Sequence, residues 1–124
     1  MGLFGIFESQ QSKHVKLYME RGMWFMGCGS FCDAANYFDA AFYLDPKNSA
    51  ALVGRGMAFE KLGYYHDAME SYSLAESLGN DQGTTNKGRL AGQHPINTSE
   101  KAHKIPLCSF EKNSYDIYRN YYYK

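Results

Sequence analysis

The sequence predicts an all-α protein with two tandem helix-turn-helix hairpins in a short α-solenoid and a flexible C-terminal tail. Three observations predict this fold. One segment occurs twice in tandem without gaps, and apolar residues recur within each copy at mostly helical spacing. Glycine separates the two helical stretches at the same place in both copies.

The repeat aligns residues 15–48 with residues 49–82. Neighbouring units of repeat proteins bury each other's apolar faces, so a fixed period indicates a stacked architecture. The identical pairs, all at the same spacing, are Arg21/Arg55, Gly22/Gly56, Met23/Met57, Phe25/Phe59, Gly29/Gly63, Asp33/Asp67, Ala34/Ala68, Ala41/Ala75 and Leu44/Leu78.

The first copy predicts two helices. The first extends over 15–27, and Gly27 and Gly29 break it. The second extends over 33–44 and stops before Pro46, because proline cannot continue a helix and disfavours helix in the preceding residue.

The second copy repeats this pattern. A helix is predicted over 50–62 and ends at Gly63, and another is predicted over 65–78. Gly79 and Asn80 close that helix, because both residue types tolerate a left-handed backbone.

Residues 15–80 resemble two tetratricopeptide (TPR) repeats, 15–48 and 49–80. The family pattern has a large residue, Leu-Gly and an aromatic residue in the first helix, then Ala, an aromatic residue, Ala and a closing Pro in the second. The chain departs from it at Arg21 and Arg55, where the family has leucine, and at Asn80, where it has proline. The matching positions are Tyr18, Gly22, Phe25, Ala34, Phe38, Ala41, Pro46, Leu52, Gly56, Phe59, Ala68, Tyr72 and Ala75.

The resemblance also implies which helix surfaces touch. Gly22 is expected to face Ala34, and Gly56 to face Ala68, because small residues let two backbones approach closely. Large rings should then fill the space beside each contact. These rings are Phe25, Phe38, Phe59 and Tyr72.

Two segments flank the repeats. Residues 1–14 form an N-terminal segment or cap. Residues 81–124 are predicted to be a mostly disordered tail, because 79–104 is rich in polar residues and glycine. A short helix at 114–123 is compatible with the spacing of its tyrosines. No third repeat is predicted, because nothing after Gly83 keeps the register.

The resemblance implies a protein-binding function, with a concave groove lined by the first helix of each unit. Methionine is flexible and polarizable, and methionine-rich surfaces repack around different apolar partners. We therefore expect a groove for an apolar or amphipathic segment of another polypeptide. The alternative is that the N-terminal segment or the tyrosine-rich tail fills the groove. The expected groove residues are Lys16, Met19, Met23, Met26, Ala50, Val53, Met57, Glu60 and Lys61.

One known TPR function is not expected. Some TPR domains hold a C-terminal carboxylate of heat-shock chaperones with Lys, Asn and Arg at fixed groove positions. The corresponding residues here include Met19, Met23 and Gly54, which offer no cationic or amide donor to a carboxylate.

Composition and motifs argue against other function classes. The chain has 13 Lys and Arg and 13 Asp and Glu, so its zero net charge does not favour nucleic acid or anionic lipid. No phosphate-binding loop, nucleophile motif or metal-ligand spacing is visible. We expect no catalysis, no metal and no cofactor.

A cytoplasmic location is expected, because the N-terminus lacks a basic start and a long apolar run. Cys28 and Cys32 are expected to be free thiols that behave as small buried apolar residues. Membrane contact is not favoured, but the alternative function is a membrane-surface display protein anchored by residues 1–7. Two repeats are marginal for stability, so self-association is a further expectation.

Overall fold

The computed structural model describes residues 10–95, and no strand occurs among them. The all-α prediction is confirmed. The short helix considered at 114–123 and the apolar residues 1–7 lie outside the described residues. The helices are α1 (Gln10–Cys28), α2 (Phe31–Leu44), α3 (Ser49–Lys61), α4 (Tyr65–Ser77) and α5 (Asp81–Gln93).

Each helix packs chiefly against the next one in the chain. The pairs α1–α2, α2–α3, α3–α4 and α4–α5 share broad contacts, whereas α1 meets α3, and α3 meets α5, only narrowly. The connections between helices are short, from two to four residues. Most contacts are therefore local in sequence.

The turns after α1 and α3 have the same construction. Gly29 and Gly63 have left-handed φ angles of 79° and 82°, which glycine adopts at little cost. In each turn, the residue after the glycine donates its backbone amide to the carbonyl of the residue five positions earlier than itself. The two bonds, each 2.9 Å long, are Ser30 N to Phe25 O and Tyr64 N to Phe59 O. Equivalent positions of the two sequence copies therefore form equivalent turn bonds.

The helix boundaries differ from the predictions at the start of the chain. The chain is already helical at Gln10, before the predicted start at Val15, and the Gln11 side-chain amide donates to the Leu44 carbonyl. The prediction that Gly27 breaks the helix is wrong, because α1 continues through it to Cys28. An interior glycine costs a helix only about 1 kcal/mol, and the packed face of α1 offsets that cost.

An aromatic ring, rather than an alanine, faces the repeated glycine of each first helix. A Cβ at Gly22 would lie 2.8 Å from Phe38 Cε1, and a Cβ at Gly56 would lie 2.5 Å from Tyr72 Cε1. The nearest neighbours of these glycines are therefore ring atoms, which the sequence analysis placed beside the contact. Glycine is needed here because the ring occupies the volume of the missing side chain.

Phe38 is enclosed from both sides. Gly54 of α3 also approaches its ring, since a Cβ at Gly54 would lie 2.7 Å from Phe38 Cε1. The ring is only 3% exposed.

Among the thirteen TPR-like positions, all are buried except Phe25, which is partly buried, and Pro46, which is exposed in a turn.

Arg55 connects three helices where the TPR pattern has leucine. Its guanidinium Nη1 lies 2.5 Å from Asp39 Oδ1 on α2, and its Nε donates to Ser71 Oγ on α4 at 3.0 Å. The guanidinium carbon also lies 5.5 Å from the centroid of the Phe42 ring. The arginine stem therefore fills a partly buried space while its charge is neutralised.

Helix α5 contradicts the prediction of a disordered tail from residue 81. Asn80 caps it, because the side-chain oxygen accepts from the Gln82 amide at 2.9 Å. Leu90 is fully buried in the main core cluster. Lys87 Nζ lies 3.0 Å from Glu76 Oε1 on α4. The prediction of disorder from composition was wrong because a single buried leucine, a cap and two ion pairs stabilise an otherwise polar, glycine-containing helix.

The cysteines also differ from expectation. Cys28 is a free thiol but is exposed rather than buried. Cys32 is partly buried and disulfide-bonded, so the expectation of free cysteines is wrong for Cys32.

Within residues 10–95, no helix is long and apolar enough to span a bilayer.

Three glycines of α5 provide a matched test of its packing. A Cβ at Gly83 would lie 2.9 Å from the Glu76 nitrogen and the Tyr72 oxygen, whereas a Cβ at Gly88 or Gly92 would meet nothing within 4 Å. We expect Gly88→Ala and Gly92→Ala each to raise the free energy of unfolding by about 0.5–1 kcal/mol, the helix-propensity gain. Gly83→Ala should lower it by about 1–3 kcal/mol through overpacking.

Urea denaturation followed by far-ultraviolet circular dichroism measures all three variants. Equal effects of Gly83→Ala and Gly88→Ala would contradict the packing of α5 against α4.

Candidate functional site

An apolar pocket of about 310 Å³ opens between α1 and α3. We call it the methionine pocket. Helix α1 contributes one wall, α3 the other, and α5 reaches its edge through one residue of its first turn. Its lining residues are Met19, Met23, Met26, Phe38, Ala50, Val53, Gly54, Met57 and Gln82.

The floor of the pocket results from the packing of Phe38. Because Gly54 has no side chain, the Phe38 ring of α2 fits between α1 and α3 and closes the bottom of the pocket. Val53, 4% exposed, completes the buried part of the lining. The pocket is therefore a preformed depression in a close-packed core.

The methionines around the pocket differ in exposure. Met23 is 66% exposed and Met57 is 43% exposed. Met19 and Met26 are partly buried and pack against the core cluster. Two flexible thioether side chains thus stand at the mouth of an apolar depression, and water rather than protein covers much of their surface.

The structure brings together only part of the predicted groove. Met19, Met23, Met26, Val53 and Met57 line the methionine pocket, as does Ala50. Sequence reasoning missed Phe38 and Gln82 as lining residues, and it placed Gly54 at a groove position only through the TPR resemblance. Phe38 was assigned to the core, and Gln82 was assigned to a disordered tail.

Three predicted groove residues lie elsewhere. Lys16 lines a separate pocket of about 280 Å³ beside Leu44 at the end of α2. Lys61 is exposed at the end of α3, outside the pocket lining. Glu60, which precedes Lys61, is engaged by α4 and α5. Helix spacing alone placed these residues in the groove, but α1 and α3 meet different neighbours along their lengths.

Glu60 joins α3 to the two helices that follow. The Tyr72 hydroxyl donates to Glu60 Oε1 at 2.7 Å. Arg89 Nη2 donates to the same oxygen at 2.5 Å, and Nη1 donates to Oε2 at 3.1 Å. This bidentate pair fixes α5 against α3. The assignment of Glu60 to the groove is therefore corrected to a structural role.

The same network perturbs the titration of its members. Burial by itself would raise the pKa of Glu60, but the bonds from Arg89 and Tyr72 and the Arg89 charge lower it below its ordinary value. Burial, followed by the bond to the Glu60 carboxylate, raises the pKa of the Tyr72 hydroxyl. At neutral pH, Glu60 is therefore ionised and Tyr72 is protonated.

The lining of the methionine pocket has few polar groups. Gln82 is the lining residue whose side chain has hydrogen-bonding groups, and no lining side chain is ionisable. Within residues 10–95, no group of three or more metal-ligating side chains occurs. The pocket can bury apolar groups and orient them through one amide.

Trp24 extends the exposed apolar surface of α1 and was not singled out from the sequence. It is 63% exposed and meets Phe25 edge to face at a centroid distance of 4.9 Å. It follows Met23 directly in α1. Tryptophan is enriched among the residues that dominate binding energy at interfaces.

Comparison of the chain with protein-family models, curated proteins and solved structures finds no match. The case for a function therefore depends on the residues and geometry described above.

The Glu60 network makes a prediction for stability at acidic pH. The folded pKa of Glu60 lies below its ordinary value of 4.5. Its ionised form therefore stabilises the fold above the unfolded pKa, and this contribution is lost as pH falls through the lowered folded pKa. We expect Glu60→Gln to flatten the decline in unfolding free energy between about pH 5 and pH 3.

Urea denaturation across that range checks this prediction, with the exposed Glu70→Gln as the matched control. The pKa of Glu76 is also lowered, chiefly by its bond from Lys87, but Glu76 is present in every variant. A Glu60→Gln profile parallel to the unchanged chain would contradict the prediction.

Proposed function

We propose that this chain is a non-catalytic adaptor with two TPR-type repeats, whose methionine pocket binds an apolar or amphipathic segment of another polypeptide. The observation that carries the proposal is the pocket itself. It is apolar, about 310 Å³ in volume, and open at Met23 and Met57.

Equivalent environments in the two sequence copies support the repeat assignment. Gly22 and Gly56 both face aromatic rings of the following helix, and those rings, Phe38 and Tyr72, also occupy equivalent positions of the two copies. The glycine turns after α1 and α3 share one pattern of hydrogen bonds. Two copies that pack alike are expected to stack and present one continuous face.

The chemistry of the pocket favours an amphipathic segment over a charged peptide terminus. Burying a carboxylate or ammonium among Met19, Val53 and Met57 would cost desolvation with no countercharge to offset it. Apolar side chains enter without that cost, while Gln82 at the edge offers both a donor and an acceptor. A helix with an apolar stripe and a polar flank meets both requirements.

The exposure of two pocket methionines supports the proposed binding of a partner. Met23 keeps 66% and Met57 keeps 43% of its surface accessible. Trp24, which follows Met23 in the sequence and is 63% exposed, is a further exposed apolar side chain on α1. A partner that covers Met23 and Met57 would remove apolar surface from water.

The proposal includes a cytoplasmic location, and imaging of the tagged chain tests it. Self-association also belongs to the proposal, because two repeats are marginal for stability. Light scattering coupled to size-exclusion chromatography would detect it as a mass above 14.1 kDa.

The adaptor proposal predicts the effect of a charge in the pocket. We expect Met23→Glu and Met57→Glu each to weaken partner binding about tenfold or more, because a carboxylate opposite an apolar side chain loses its hydration. Affinity capture from cells followed by mass spectrometry identifies the partners, and titration of a recovered partner measures the loss.

Leu74→Glu is the matched control. It places the same charge at an apolar residue of α4 that is 39% exposed and lies outside the pocket lining. If Leu74→Glu removes the same partners, or if both methionine variants retain them, the pocket is not the binding site.

A further inference from the structure

The methionine pocket concentrates four oxidisable sulfur atoms in one small depression. Met19, Met23, Met26 and Met57 all line it, and the pair at its mouth, Met23 and Met57, is the more exposed. Met69 on α4 packs against the core cluster outside this lining. The described residues therefore contain one solvent-accessible methionine pair and a set of more protected ones.

We propose that Met23 and Met57 form a peroxide-sensitive modification site that switches the pocket from apolar to polar. The thioether sulfur attacks one oxygen of hydrogen peroxide, the O–O bond breaks, and an S–O bond forms. Each methionine loses two electrons and becomes a sulfoxide, while the peroxide is reduced and leaves as water. The consequence for a partner rests on the proposed function, but the oxidation chemistry does not.

Geometry makes oxidation selective. Attack requires the peroxide to reach the sulfur, and access to Met23 and Met57 is open on one side of the pocket. Met19 and Met26 are shielded by the packing that places them against the core. Oxidation should therefore proceed at Met23 and Met57 several-fold faster than at Met19, Met26 or Met69.

The apolar lining also means that oxidation would weaken the binding of an apolar ligand. A sulfoxide oxygen is a strong hydrogen-bond acceptor, and covering it with an apolar group leaves it unsatisfied. Val53, Ala50 and Phe38 offer no side-chain donor, and Gln82 is the lining residue whose side chain does. An apolar ligand supplies no donor to either sulfoxide that it covers, so the oxidised pocket should bind an apolar ligand about tenfold or more weakly.

The test uses the full chain with Cys28→Ser, because the exposed Cys28 thiol would also consume peroxide. Peptide mapping by mass spectrometry after graded hydrogen peroxide gives the order of oxidation. Anilinonaphthalene sulfonate fluorescence reports the apolar pocket, and circular dichroism confirms that the helices persist. Methionine sulfoxide reductase should restore the dye binding.

The double variant Met23→Leu with Met57→Leu keeps an apolar lining but cannot form sulfoxide there, and Met69→Leu is the matched control. We expect the double variant to keep its dye affinity after peroxide, while Met69→Leu loses it as the unchanged chain does. Equal oxidation rates at Met23 and Met69, or equal loss of dye binding by the double variant, would overturn the proposal.

These outcomes are separable from the adaptor proposal. If Met23→Glu leaves partner binding intact while the dye and the mapping behave as expected, the modification site stands and the adaptor assignment fails. If Met23→Glu abolishes binding but oxidation is unselective, the adaptor proposal is supported and the modification-site proposal fails.

Discussion

The position of the Phe38 ring is the constraint on which the structure of this protein depends. Gly22 on one side and Gly54 on the other leave room for the ring, and a Cβ at either position would lie less than 3.0 Å from it. This arrangement brings α1, α2 and α3 close enough to bury the ring almost completely. The same ring closes the methionine pocket from below, so the core contact and the candidate site share one residue.

Charged residues connect the helices in addition to the apolar core. Arg55 joins α3 to Asp39 and Ser71 on its two neighbours, and Arg89 joins α5 to Glu60. The Arg55–Asp39 pair is only partly exposed, so solvent screens it less than a surface ion pair, whereas Arg89 is exposed. Helix α5 needs this support, because three glycines weaken it and Leu90 is its one large residue in the core. Its attachment also places Gln82 at the edge of the methionine pocket.

The proposed binding surface and the proposed modification site can share the same methionines because the thioether has two properties. The thioether is apolar and flexible enough to adapt to a partner, and its accessible lone pairs are open to oxidation. Leucine would supply the first property without the second. The structure places the exposed pair at the mouth of the pocket and the protected pair deeper, which separates adaptation to a ligand from sensitivity to peroxide.

The sequence by itself determined the helical class, the tandem repetition and all four pocket methionines, because periodicity and glycine turns are local properties of the chain. It did not determine α5. Asn80 suits a helix cap and a closing turn equally. Arg89 continues the spacing of Arg21 and Arg55, so the expectation that nothing after Gly83 keeps the register was wrong, but Arg89 carries no signal without its carboxylate partner. Tertiary structure alone decided that Glu60 faces Arg89, that Lys16 and Lys61 lie off the pocket, and that Phe38 forms its floor. These facts depend on which helix faces meet in space, and helix spacing fixes the faces but not the neighbours they meet.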